Sequence, residues 1–239
     1  MELYSTIGYY ENSLEFQADK LLPLDDSILI EILRRGKDKG RRNYHRIDGI
    51  LPVVAKLLII DPTINTKNFY VMEVQDRHDL RISIPGGHVE LGTDASSPDV
   101  QSLDTPGKAK AVIINSLIRE SFEEIQGIDV DDIDPRFFKY PLRNALKDTI
   151  HHLYKPNPHI GVNVSTVYYY YFSDTSITIF LPVLAKLESK YTTNFTRSDF
   201  LTEETWRMRN PGKNKDKNDI RYDARYKDYV GAIMNTKII

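Results

Sequence analysis

"RESFEEIQG", Arg119 to Gly127, contains three glutamates and one arginine in close succession. If the stretch is helical, Glu120, Glu123 and Glu124 stand at positions i, i+3 and i+4, so their carboxylates share one surface. An apolar set falls roughly opposite at about 100° per residue, and this set should face a core. Its members are Ile114, Ile118, Phe122 and Ile125. The sequence therefore predicts a half-buried helix with an acidic flank.

A glycine-rich turn precedes this helix. The segment "SIPGGHVELGTD", Ser83 to Asp94, indicates a turn that leaves a strand. Gly86 and Gly87 permit backbone conformations and close approaches that a side chain would forbid. Taken alone, the acidic stretch is typical of a solvated helix face. Combined with the turn it suits a metal–phosphate pocket, because Mg²⁺ binds carboxylates together with substrate phosphates.

The segments "PGGHVELG" (Pro85 to Gly92) and "RESFEE" (Arg119 to Glu124) together resemble the Nudix box, G-x5-E-x7-R-E-U-x-E-E-x-G-U, where U is aliphatic. The box would span about residues 86–128. The resemblance implies a Nudix-type α/β/α sandwich with a mixed β-sheet. It also implies a hydrolase that uses Mg²⁺ or Mn²⁺ to cleave the pyrophosphate bond of a nucleoside diphosphate linked to another moiety. ADP-ribose, dinucleotides and capped RNA are examples of such substrates.

The same resemblance implies roles for single residues. Metal ligands would be Glu120, Glu123, Glu124 and Asp94; catalytic residues would be Glu123, Glu124 and Arg119; substrate contacts would come from Gly86 and Gly87. The arginine would brace a glutamate or reach a phosphate oxygen, since guanidinium groups bind both kinds of oxygen. The family is often dimeric, so a homodimer is a further expectation.

The sequence departs from the box at several points. Thr93 stands where the pattern has a glutamate, and Asp94 or Glu90 would have to replace it. Residues 94–118 stand where the pattern has seven, an insertion of about 18 residues whose irregular part covers about 94–107. Ser121 stands where an aliphatic residue is usual. These departures favour an alternative function, a catalytically inactive Nudix-fold module that binds a nucleotide or a protein partner.

The composition is that of an ordinary globular protein. The 239 residues are 41% hydrophobic and 28% charged, with no evident repeat or linker, so we expect one domain over residues 1–239. A net charge of −2 argues against a dedicated nucleic-acid binder, and the lack of cysteine excludes disulfides and thiolate chemistry.

The sequence has neither the basic-then-apolar order of a signal peptide nor an apolar run near the roughly 20 residues that span a bilayer. We therefore expect a cytoplasmic protein without membrane contact.

Hydrophobic periodicity predicts a mixture of helices and strands. Predicted helices cover "DDSILIEILRRGKDKG" (capped by Asp25 or Asp26 and ended by Gly36), "TPGKAKAVIINSLIRESFEEIQG" and the tail "DIRYDARYKDYVGAIM". Predicted strands cover "DGILPVVAKLLIID", "NFYVMEVQDRH", "DLRISIPGG", "IGVNVSTVYYYYFSD" and "SITIFLPVLAKL", whereas "TDASSPDVQSLD" indicates a loop. Because strands and helices do not alternate regularly, the expected fold class is α+β.

Three further features have structural interpretations beside functional ones. The basic loop 34–46 is typical of a solvated surface, and contact with RNA is the alternative. The run Tyr168 to Phe172 should alternate between the two faces of a sheet, with base stacking by one tyrosine as the alternative. Trp206 fits a core position or a cover over a base, and the neighbouring His151 and His152 make a poor metal pair.

Overall fold

The computed structural model describes residues 20–38, 52–61, 70–72, 74–75, 81–95, 103–125, 142–154, 161–173, 176–185, 197–199, 221–222, 225–236 and 238. Its elements are β1 (Leu22–Pro23), α1 (Asp26–Asp38), β2 (Val53–Asp61), β3 (Tyr70–Met72), β4 (Val74–Gln75), β5 (Arg81–Ser83), α2 (Leu91–Asp94), α3 (Pro106–Ile125), α4 (Leu142–Tyr154), β6 (Asn163–Val164), β7 (Tyr169–Phe172), β8 (Ile177–Leu184), β9 (Arg197–Asp199), β10 (Arg221–Tyr222) and α5 (Tyr226–Met234). Within these residues, every helix is too short or too polar to cross a bilayer.

The main sheet is mixed, which confirms the α+β class. Its strand order is β1-β7-β8-β2-β3-β9, and β6 also pairs with β8. The central pair, β2 and β8, runs parallel from Val53 opposite Ile177 to Ile60 opposite Leu184. The other pairs in this sheet are antiparallel. A smaller sheet has the order β10-β5-β4.

Helices cover both faces of the main sheet. Along β2, Ala55, Leu57 and Ile59 pack in a core formed with α1, α3 and α4, whereas Leu58 and Ile60 pack in a second core formed with α5. This alternation is what a strand buried on both sides requires, because successive side chains point to opposite faces. The central strands are therefore apolar almost throughout.

The aromatic run alternates as predicted. Tyr168, Tyr170 and Phe172 belong to the core beneath α1, α3 and α4, while Tyr171 belongs to the core beneath α5 and Tyr169 packs against it. This burial supports the packing interpretation of these residues.

Helix α5 is fixed to its face of the sheet by aromatic and polar contacts. Tyr229 packs edge-on against Tyr171 and Phe180, with ring centroids 5.7 and 5.2 Å apart. Its hydroxyl is 2.9 Å from the hydroxyl of the buried Thr178. Such a contact satisfies both buried hydroxyl groups, which would otherwise be costly to bury.

Proline explains one departure from the predicted strands. The stretch "IGVNVSTVYYYYFSD" forms two strands, β6 and β7, with a break between Val164 and Tyr169. Those two residues pair with Val183 and Phe180 of β8, so residues 165–168 lie opposite Leu181 and Pro182. Proline has no N–H to donate to the ladder, and the neighbouring strand bulges where pairing fails.

Several predicted boundaries are wrong. Helix α1 continues to Asp38, past Gly36, because a helical glycine costs only about 1 kcal/mol and does not force an end. The C-terminal helix begins at Tyr226, since the backbone of Tyr222 pairs with β5 as a strand. Thr93 and Asp94, predicted as the start of a loop, are the last two residues of α2. Helix α4 was not among the predictions, although it buries Ala145, Leu146 and Ile150 at helical spacing.

Candidate functional site

The glycine turn lies along the edge of β2. Leu57 N donates to Pro85 O at 2.8 Å, Ala55 N donates to Gly87 O at 2.9 Å, and Val89 N donates to Val53 O at 2.9 Å. The turn is therefore held against the central strand by backbone hydrogen bonds on both sides of its two glycines. Rigid support of this kind is what positions functional loops.

A side chain would clash at both glycines, with backbone at Gly86 and with the end of a side chain at Gly87. Gly86 has φ +119°, in the region that favours glycine, and a Cβ there would overlap the carbonyl oxygen of Ala55. A Cβ on Gly87 would overlap the carboxylate of Glu120. The helix and the turn thus approach so closely that a carboxylate occupies the space of the missing side chain.

Helix α3 presents the predicted carboxylates at this turn. Ile114, Ile118 and Phe122 are buried on its other side, as the periodicity predicts. The side chain of Glu120 is 13% exposed and that of Glu123 is 34% exposed. Glu124 is partly exposed, and its Oε2 accepts a hydrogen bond from Gly86 N at 2.9 Å.

Arg119 connects the carboxylates to one another. Its Nη1 donates to Glu120 Oε1 at 2.7 Å and to Glu123 Oε2 at 3.2 Å. Its Nη2 donates to His88 O at 2.8 Å, and its Nε donates to Asp94 Oδ1 at 3.0 Å. The residue is only 4% exposed. Arg119 therefore braces the glutamates, one of the two roles that the sequence suggested for it.

Asp94 reaches the glutamate cluster through that arginine. Its Oδ2 accepts from Arg119 Nη2 at 3.3 Å and from Glu90 N at 2.7 Å, so both carboxylate oxygens have donors. Its side chain is 1% exposed. Asp94 thus holds Arg119 and the start of α2, and the metal role predicted for it stays a prediction. Nearby, Thr93 Oγ1 donates to Glu90 Oε2 at 3.4 Å.

Burial changes the acid–base properties of these groups. It raises the pKa of Glu120, Glu123 and Asp94, and the positive charge of Arg119 opposes the rise in each case. Burial alone would lower the pKa of Arg119, but the hydrogen bonds and charges of its carboxylate partners outweigh that effect and raise it. The site therefore concentrates carboxylates whose ionised form is costly without a nearby cation.

The oxygen atoms of the three glutamates are chemically suitable ligands for a hard divalent cation. Glu120, Glu123 and Glu124 offer the carboxylate oxygens that Mg²⁺ and Mn²⁺ prefer. In the part of the chain that the structure describes, no three acidic or histidine side chains are gathered closely enough to form a ready-made ion site. Mg²⁺ usually takes one or two carboxylates and completes its shell with water and substrate phosphates, so a complete protein cage is not required.

Lys56 is a site residue that the sequence analysis missed. It lies on β2, is 8% exposed, and its Nζ donates to Gly86 O. The available signal was a single charged side chain inside the apolar run from Val53 to Ile60.

The other predicted candidates lie away from this cluster or outside the described residues. His151 is exposed at the end of α4. Residues 34–38 of the basic loop belong to α1, while residues 39–46 and Trp206 lie outside the described residues. Residues 96–102, in the middle of the predicted insertion, also lie outside them.

Comparison of the chain with protein-family models, with curated proteins and with solved structures gives no match.

Proposed function

We propose that this protein is a Nudix-type hydrolase that cleaves the pyrophosphate bond of a nucleoside diphosphate linked to another moiety, with Mg²⁺ or Mn²⁺ as cofactor. One observation carries the proposal: Gly86 and Gly87 lie directly against Glu124 and Glu120, with a hydrogen bond of 2.9 Å from Gly86 N to Glu124 Oε2. The two halves of the box-like sequence therefore form one surface despite the residues between them.

The chain's own residues would divide the work. Glu120, Glu123 and Glu124 would hold the cation, which when bound neutralises phosphate oxygens and lowers the pKa of a water molecule. Arg119 fixes Glu120 and Glu123 in position through the hydrogen bonds described above. Glu123 is the best candidate to accept a proton, because its side chain is 34% exposed and burial raises its pKa.

The proposal assigns Asp94 a different role from the one first expected. Because both of its oxygens already accept hydrogen bonds and its side chain is 1% exposed, Asp94 would orient Arg119 and leave the cation to the glutamates. In this way it would replace the box glutamate that is absent at Thr93. We also propose that the protein is a single cytoplasmic domain, that it acts on a nucleotide-type substrate, and that it forms a homodimer.

The direct test is a substrate panel. The purified protein is incubated with ADP-ribose, dinucleoside polyphosphates, NADH and capped RNA, each with Mg²⁺ or Mn²⁺, and products are separated by anion exchange. We expect a nucleoside monophosphate-containing product from at least one substrate, and no product when EDTA is present. Glu124→Gln, which keeps the size of the side chain, provides the inactive control.

A nucleotide-binding module without catalysis is the second candidate. It is favoured by the engagement of Glu120 and Glu123 with Arg119, and by the threonine that stands at position 93 instead of the box glutamate. Binding of a nucleotide by calorimetry without cleavage of any panel substrate would select this function instead.

A further inference from the structure

Lys56 occupies an unusual position for a charged side chain. It lies on a central strand, is 8% exposed, and its neighbours along the strand are the buried Ala55 and Leu57. Lysine is seldom buried to this extent unless it is paired, because removing its charge from water is costly. Its ammonium group therefore needs a stabilising partner.

The glycine turn supplies that partner, and the same turn is in contact with two of the glutamates. Lys56 Nζ donates to Gly86 O, while Gly86 N donates to Glu124 Oε2. The next residue, Gly87, lies against the carboxylate of Glu120. Two carboxylates and one ammonium group thus contact the same two-residue turn.

Lys56 and Glu120 each contact one residue of the Gly86–Gly87 turn, so their charges lie close to each other. Burial raises the pKa of Glu120, whereas Arg119 and, to a smaller extent, Lys56 lower it. An added divalent cation at Glu120 would meet the positive charge of Lys56 in a partly buried site, where repulsion is screened less than in water.

We infer that Lys56 is a resident counter-ion of Glu120, which balances this carboxylate in the metal-free protein and competes with a divalent cation for it. The inference rests on the proposed function, since it concerns the cation that the proposed site would bind. It makes Lys56 a positioning residue that sets metal affinity, and it does not require that Lys56 touch the substrate.

Titration calorimetry with Mn²⁺, without substrate, tests this inference. Lys56→Met and Lys56→Gln remove the charge, so we expect each to bind Mn²⁺ about tenfold more tightly than the unaltered protein. Lys56→Arg keeps the charge and should bind as the unaltered protein does. Thr178→Val is the matched control, because it removes a buried polar group from the neighbouring strand without contacting the turn.

A double-mutant cycle assigns the effect to the right carboxylate. In the Glu120→Gln background, Lys56→Met should give no gain in Mn²⁺ affinity, because the carboxylate that the two cations share is gone. A gain of the same size in that background would overturn the pairing of Lys56 with Glu120.

The outcomes separate this inference from the proposed function. If Lys56 is only a structural tether of the turn, Lys56→Met and Lys56→Gln will bind Mn²⁺ no more tightly than the unaltered protein, and the inference fails even if the protein cleaves a panel substrate. If both bind Mn²⁺ more tightly but no substrate is cleaved, the counter-ion role stands and the hydrolase fails. If neither these variants nor the unaltered protein binds Mn²⁺, both are overturned. Circular dichroism confirms that each variant is folded.

Discussion

Arg119 grips Asp94 with two hydrogen bonds, Nε to Oδ1 at 3.0 Å and Nη2 to Oδ2 at 3.3 Å, across 25 positions of the sequence. Both side chains are almost fully removed from solvent. The pair therefore connects the short helix after the glycine turn to the helix that carries the glutamates, and it fixes the remaining donors of Arg119 toward Glu120 and Glu123.

Breaking this pair should destabilise the fold. Asp94→Asn removes the most deeply buried of the three carboxylates that pair with the Arg119 guanidinium, which we expect to lower the free energy of unfolding by about 3 kcal/mol. Urea unfolding followed by circular dichroism measures the loss. Asp104→Asn is the matched control: its partner Lys108 lies 2.8 Å away on the surface, so the change should cost less than about 1 kcal/mol. Equal losses in the two variants would contradict the structural role of Asp94.

The glutamates should be needed for turnover without being needed for folding. Glu123→Gln and Glu124→Gln keep the size of each side chain and an oxygen acceptor, so the contacts with Arg119 and Gly86 N can persist. We expect each variant to lose at least about a hundredfold in kcat, because Glu123 is the proposed proton acceptor and Glu124 is a proposed ligand of the cation. Asp228→Asn, an exposed acidic position on α5, should keep full activity. Full activity of both glutamine variants would remove these residues from the mechanism.

Replacing Gly86 and replacing Gly87 by alanine should have different effects on stability and on Mn²⁺ binding. Gly86→Ala places a Cβ against the Ala55 carbonyl at a φ of +119°, so we expect a loss of at least about 2 kcal/mol in unfolding free energy. Gly87→Ala meets only the end of the Glu120 side chain, so its main effect should be weaker Mn²⁺ binding with a smaller loss of stability. Gly92→Ala has open space around it and serves as the control. Thermal unfolding and Mn²⁺ titration of the three variants test the contrast.

Stability should depend on pH through Glu120. Because burial raises its pKa above the ordinary value of 4.5, the folded protein holds this proton more tightly than the unfolded chain does. The contribution of protonated Glu120 to the free energy of unfolding is then fully present below pH 4.5, and it is lost as the pH rises through the pKa of the folded protein. Glu120→Gln removes the titration, so its stability relative to the unaltered protein should improve between pH 4 and pH 7 in EDTA. Urea unfolding at several pH values measures this difference, and a constant difference would count against the buried carboxylate.

Local patterns in the sequence predict much of the fold. The apolar set of α3 and the alternation of the aromatic run follow from helical and strand periodicity, and the structure confirms both for the residues it describes. The break between β6 and β7 depends on β8, a separate strand of the sheet, which the local pattern of the aromatic run does not contain. Helix α4 was missed although its buried positions repeat at helical spacing.

The sequence predicts which residues form the candidate site better than it predicts the contacts among them. The spacing of the glutamates places them on one flank of α3, and the glycines indicate a close approach that the structure contains. The engagement of both Asp94 oxygens and the arrival of Lys56 from β2 depend on tertiary packing. A buried lysine is recognisable in sequence only as one charge in an apolar strand, and that signal does not name its partner.

The hydrogen bonds between Arg119 and Asp94 also bear on how many residues the segment between Asp94 and α3 can contain. Both ends of the intervening segment are attached to α3: Asp94 accepts hydrogen bonds from Asn115 and Arg119 of this helix, and the helix itself begins at Pro106. The entropy of closing a loop grows only slowly with the number of residues in it. Engineered versions of this chain with a longer segment between Asp94 and Pro106 should therefore still assemble the same arrangement of charges.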